Sequence, residues 1–214
     1  MNPDSPGRAV LLAKKVELGI AKIKGANIVI APPFPFLLPV GKVLKRARLG
    51  AQDLFWEAEG AFTGEVSWHQ LKHLRVEYVI IGHSERRALG ESDEMVNKKI
   101  KAALQAGLKP VVCIANAIQL KKALKTIQES RVKTQDSILA FEPLSAIGTG
   151  KPYDVGASKR MRNAIKYPFV LYGGSVNSKN APDYVKKAGF QGFLVGGASL
   201  KAGEFVKIVQ KICQ

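Results

Sequence analysis

Short apolar runs of strand length alternate with amphipathic runs of helical period along the whole chain. Few folds accept that pattern. Strands that read as continuous Val/Ile/Leu runs are buried on both faces, and strands separated by helices pair in parallel through right-handed crossovers. The strand-like runs fall at residues 27–31, 48–51, 78–82, 109–114, 138–141, 169–172 and 192–195. The first helical run places Ala9, Leu12, Val16, Ile20 and Ile23 on one face, with Ser5 as N-cap and Pro6 in the first turn. A later one carries Val96, Ile100, Ala103 and Leu104 and closes on Gly107, and the last carries Phe205, Ile208, Val209 and Ile212. The count is eight helices and seven strands. A doubly wound sheet tolerates that count. A (β/α)8 barrel begins with a strand, whereas this chain begins on a loop and a helix. On the barrel reading, the first strand is expected to be missing from the chain as written. The length of 214 residues also sits below the roughly 250 typical of such barrels.

The chain is expected to form one domain, residues 1–214, since it has no linker and no low-complexity tract. No apolar run is long enough to cross a bilayer, and the N-terminus lacks the basic and apolar segments of a secretory signal. Cys113 and Cys213 form no disulfide framework or zinc pattern, so a cytoplasmic location is expected. The net charge of +16 raises the question of nucleic acid. Its Lys and Arg residues are spread over every helical run, with no single block and no interleaved aromatic ladder. The expectation is a solvated basic exterior, with no nucleic-acid or membrane partner.

Reactive groups in parallel α/β folds collect at the carboxyl ends of strands. The run 78–82 delivers His83, followed by Ser84 and Glu85, and the run 138–141 delivers Glu142. A carboxylate at the end of an apolar strand is costly to desolvate, which pushes it toward the behaviour of a working base. A histidine near it can polarise a carbonyl, and the two together can move a proton beside one. Taken singly, each has a structural reading: Glu142 as the partner of an arginine, His83 as a satisfied core histidine. Three glycine-rich turns follow late strands: Gly148-Thr149-Gly150, Gly173-Gly174-Ser175 and Gly196-Gly197-Ala198. Glycine lets backbone N–H groups approach an anion, so turns of this kind suit a phosphate. No Walker loop or dinucleotide fingerprint is present. His69 and His73 stand four apart but lack a third ligand, and no metal site is expected.

Several motifs together resemble the triosephosphate isomerase family, in the family's order. They are Gly82-His83-Ser84-Glu85-Arg86-Arg87, Glu142-Pro143 with Ala146 to Lys151, Tyr172-Gly173-Gly174-Ser175-Val176, and Val195-Gly196-Gly197-Ala198-Ser199-Leu200. The segment Gly60 to Glu65 resembles the family's loop that enters a partner subunit. The resemblance covers essentially the whole chain. It implies a TIM (β/α)8 barrel and an isomerase that interconverts glyceraldehyde 3-phosphate and dihydroxyacetone phosphate through an enediolate, in glycolysis and gluconeogenesis. Glu142 would be the base and His83 the electrophile. Gly148, Ser175, Gly196 and Gly197 would bind the substrate phosphate, with Gly148 in a loop that excludes water. Glu85 and Ser84 would support the histidine, and Thr63, Gly64 and Glu65 would form the dimer loop. No metal or organic cofactor is implied. A different phosphate-binding barrel enzyme would share the glycine turns but has no reason to carry both the His83 and Glu142 motifs. A non-catalytic, basic binding protein is the other alternative.

The chain departs from the family's pattern in places. The family's first strand ends in an Asn-Trp-Lys-Met-Asn type sequence, whereas this chain opens Met1-Asn2-Pro3. The expectation is a start upstream, with the strand and its lysine ahead of Met1, and a weaker enzyme without them. Ser145 stands where the family usually has tryptophan, and Ile114-Ala115-Asn116 where it usually has glycine and glutamate after the isoleucine.

Overall fold

The computed structural model describes residues 3–130, 136–146 and 150–213. Seven parallel strands follow one another round a single sheet in chain order: β1 Val29–Ile30, β2 Arg48–Ala51, β3 Tyr78–Ile81, β4 Lys109–Ile114, β5 Ile138–Phe141, β6 Val170–Tyr172 and β7 Gly192–Phe193. The helices among the described residues are α1 Pro6–Ile20, α2 Leu37–Gly41, α3 Trp68–His73, α4 Ser84–Ala88, α5 Asp93–Gln105, α6 Ala117–Glu129, α7 Val155–Ala164, α8 Ala181–Lys186 and α9 Ala202–Ile212. That is one more than the periodicity predicts. The extra one is α4, cut from α5 by a turn in which Gly90 takes φ +100°, where glycine carries no steric penalty.

Alternation along the strands sorts side chains into two layers. Ile80, Val111, Cys113, Ile138, Ala140 and Leu171 share one apolar cluster with Tyr78, Val29 and Leu194. Val29 belongs to β1 and Leu194 follows β7, so this cluster forms only if the sheet curls until its two ends face each other. The opposite parity, including Val79, Ile81, Val112, Leu139 and Phe141, packs outward with α5, α6 and α8. This is the layering of a barrel, with a filled interior and an outer ring of helices.

Between β1 and β7 no ladder exists among the described residues. A separate cluster from α1, the approach to β1 and α9 packs beside them, including Val16, Ile20, Ile28 and Val209. Strand β1 is shorter than its apolar run predicts, because Pro32 and Pro33 follow it and neither can donate to a ladder. Helix α1 also stops at Ile20, short of Ile23. Buried Glu17 accepts the Ala47 N–H at 2.8 Å and the Arg46 N–H at 3.1 Å, and Arg46 Nε donates to the Ile20 carbonyl at 3.1 Å. Carbonyls that the helix end leaves open are satisfied this way.

Gly19 explains the close approach of α1 to α9. A Cβ built there would lie 2.5 Å from Val206 Cγ2. Alanine is the better helix former, yet Gly19→Ala is expected to destabilise the chain by about 1–3 kcal/mol through overpacking. A rise in the urea midpoint of that variant would contradict this account of the helix pair.

Candidate active site

Parity places Glu142 in the interior. It continues the inward series Ile138, Ala140 past the end of β5, and it is 3% exposed. Its amide donates to the Ile114 carbonyl at 2.8 Å, which extends the ladder to β4 by one residue. The inward residues beside it are small. On β4 stands Cys113, and just past β6 stands Gly173, where an added Cβ would lie 2.9 Å from Glu142 Cγ. Gly173 therefore makes room for the carboxylate, a role that the sequence reading of a phosphate-binding turn does not include.

His83 reaches the same place from β3. Gly82 adopts φ +72°, which L side chains rarely tolerate, and a Cβ there would press on Val96 and Arg87 at 3.1 Å. This turn swings His83 over the barrel mouth, where it caps α4 and its Nδ1 accepts the Glu85 N–H at 3.3 Å. With Nδ1 accepting, the ring proton sits on Nε2, which lies 3.0 Å from Glu142 Oε1. The other carboxylate oxygen accepts the Ser84 N–H at 3.0 Å.

The local fields oppose each other at the histidine. Burial works to lower its pKa, but the hydrogen bond and charge of Glu142, helped by Glu85, outweigh it and hold His83 above the ordinary value. The backbone resists protonation, because a proton on Nδ1 would face the Glu85 N–H and the positive end of α4. That donor geometry fits a neutral imidazole offering Nε2–H. Burial, then the charge and hydrogen bond of Glu142, push the Cys113 thiol far up, so it stays protonated beside the carboxylate. Cys113 was legible only as a residue of an apolar strand. The signal for its position is the ladder pair Cys113 with Ala140, two residues before Glu142.

The remaining expected residues distribute unevenly. Glu85 acts through its backbone: its side chain is exposed and lies 3.8 Å from His83 Nδ1. Ser84 likewise uses its N–H, while its buried Oγ finds no partner among the described residues. Ser175 Oγ donates to the Ala146 carbonyl at 2.7 Å. Gly196 and Gly197 lie past β7, at the start of a short 3-10 turn, with nothing within 4 Å of either added Cβ. Parallel strands put all of these at the same end of the barrel as Glu142. Gly148 lies outside the described residues. Thr63, Gly64 and Glu65 do not join the site; they tip an exposed loop, based on the Phe55–Ser67 bridge and the packing of Phe62 on Phe55. His73 Nδ1 is held by the His69 carbonyl at 2.9 Å, and no group of three metal-ligating side chains occurs among the described residues.

One expectation fails outright. Lys99, read with its neighbours as solvated exterior, is 2% exposed. Its ammonium contacts both Asp53 oxygens at 2.7 Å and pairs with Glu91, and Arg86 Nε reaches Asp53 at 2.7 Å. Lysine rarely goes inside unless paired, and here two carboxylates compensate the desolvation. The network ties α4, and with it the turn that aims His83, to α5 and the end of β2.

The sequence matches the family model described as triosephosphate isomerase over residues 1–212. It is 39% identical over 233 aligned positions to a triosephosphate isomerase of Thermoanaerobacter pseudethanolicus, covering 96% of this chain and 94% of that protein. It is 41% identical to one from Dehalococcoides mccartyi strain CBDB1, covering 95% and 90%, and 37% identical to one from Endomicrobium trichonymphae, covering 94% and 92%. The barrel order, a buried carboxylate facing a histidine across two strand ends, and similarity along nearly the whole sequence converge: the chain belongs to the triosephosphate isomerase family.

Proposed function

We propose that the chain interconverts glyceraldehyde 3-phosphate and dihydroxyacetone phosphate, with Glu142 as the base and His83 as the electrophile. The observation that carries the assignment is the buried Glu142 carboxylate at 3.0 Å from His83 Nε2. Glu142 removes the proton from the carbon beside the carbonyl and returns it to the neighbouring carbon. With substrate in the site, the His83 Nε2–H turns from Glu142 to the carbonyl oxygen, where negative charge develops, and relays protons between the two oxygens. Ser84 N–H orients the carboxylate, and Glu85 N–H holds the imidazole tautomer. The glycine turns at Ser175 and at Gly196 and Gly197 present backbone toward the phosphate. The exposed loop at Thr63, Gly64 and Glu65 supports a homodimer; a chain that sediments as a monomer at micromolar concentration would remove that part. The family's reaction supports a role in glycolysis and gluconeogenesis and a cytoplasmic location. No helix among the described residues is long and apolar enough to cross a membrane.

The purified chain is expected to turn over glyceraldehyde 3-phosphate in an assay coupled to reduction of dihydroxyacetone phosphate. Folded protein with a rate no higher than buffer would overturn the assignment.

A further inference from the structure

Tyr184 carries a hydroxyl for which the proposed chemistry has no use. The side chain is 0% exposed on α8, in the outer ring of helices. Its ring stacks on Tyr172 with centroids 4.0 Å apart and planes 12° apart. Phenylalanine would serve that packing equally well, and a buried hydroxyl is tolerated only where it is bonded. The Tyr184 Oη donates to the carbonyl of Tyr153. Tyr172 Oη accepts the N–H of that same residue at 3.1 Å. Two stacked tyrosines therefore grip both the N–H and the C=O of one residue.

Tyr153 is where the chain that leaves Glu142 comes back to the barrel. That chain passes through Pro143 and the 3-10 turn Leu144–Ala146, and past Tyr153 the Asp154 carboxylate caps α7. Its departing side is fixed by Ser175 Oγ on the Ala146 carbonyl. Its returning side is fixed by the tyrosine pair, and the Tyr153 ring meets Phe141 edge-on at 6.3 Å, directly before Glu142. Tyr172 and Ser175 come from the end of β6, beside the site. Tyr184 reaches in from the outer helices.

We infer that Tyr184 is a positioning residue for the isomerisation, holding the Tyr153 carbonyl so that the Tyr153 ring keeps its edge against Phe141, the residue directly before Glu142. The inference rests on the proposed isomerase activity. Burial, reinforced by Tyr172, holds the Tyr184 phenol well above its ordinary pKa, so the donor persists across the working pH range.

Tyr184→Phe keeps the stacked ring and removes only the donor. Its kcat is expected to fall about five- to tenfold, the scale of one buried hydrogen bond, by a constant factor from pH 6 to 9. Ile127→Ala, a core truncation on α6, serves as the stability control. It is expected to lower the melting temperature at least as much as Tyr184→Phe does, while leaving kcat at 25 °C at the wild-type value. Tyr184→Phe with wild-type kcat and KM would overturn the inference. So would a kcat loss that Ile127→Ala shares in proportion to its melting temperature, because the hydroxyl would then contribute stability alone. An inactive wild-type chain would overturn the activity assignment and this inference together, whereas an active wild type matched by Tyr184→Phe overturns this inference only.

Discussion

Glu142→Gln is expected to lower kcat by about 10²- to 10⁴-fold, the range of a lost general base, with the fold intact. Glutamine has the shape of glutamate, so Gly173 still accommodates it and the Ser84 N–H still finds an oxygen. What is lost is the proton acceptor. The amide also brings a donor into a position that faces the His83 Nε2–H at 3.0 Å in the wild type. Either the amide turns, giving its oxygen to His83 at the expense of the Ser84 N–H, or the imidazole changes tautomer, and neither restores a base. The same substitution has a spectroscopic consequence with a definite sign. Glu142 contributes the leading effects that raise His83, and burial works the other way. Without the carboxylate the imidazole should titrate at lower pH than in the wild type, read by proton NMR of its ring resonances. Retention of more than about a tenth of wild-type kcat would exclude Glu142 as the base, and an unchanged or higher His83 titration would sink the electrostatic account.

His83→Gln is expected to reduce kcat by about 10²- to 10³-fold, the effect of removing one preorganised donor from developing negative charge. The glutamine side chain can still present an N–H, but it lacks the tautomer fixed by the Glu85 N–H on Nδ1 and cannot pass a proton between two oxygens. KM should change far less than kcat, because a donor aimed at charge that appears during the reaction contributes little to ground-state binding. The coupled assay, run over a range of glyceraldehyde 3-phosphate concentrations, separates the two constants. A variant whose KM rises while kcat holds would assign His83 to binding instead of chemistry.

Much of this is legible in the amino-acid order. The strands at 48–51, 109–114 and 138–141 fall at the residues the apolar runs predict, because a strand buried on both faces leaves an uninterrupted signal. The runs at 27–31, 169–172 and 192–195 lose residues at their ends, where ladder pairing and neighbouring prolines decide and hydropathy does not. Glu142 and His83 stood out as polar groups at the ends of apolar runs. The extra helix α4 did not, since five residues carry too little periodicity.

Period, spacing and motif were enough for the alternation, the parallel sheet, the family and the two residues proposed for catalysis, because each is written in local order. Tertiary structure decided what depends on residues meeting across strands. It turned Gly173 from a phosphate-binding turn into the space that Glu142 occupies, and set Cys113 beside the carboxylate. It drew Lys99 inward between Asp53 and Glu91. It brought the Tyr184 hydroxyl to the Tyr153 carbonyl, 31 residues away in sequence. The physical reason is the same throughout. Burial and hydrogen-bond partnership are properties of neighbours in space, and in a curled parallel sheet those neighbours lie a full strand and helix apart along the chain.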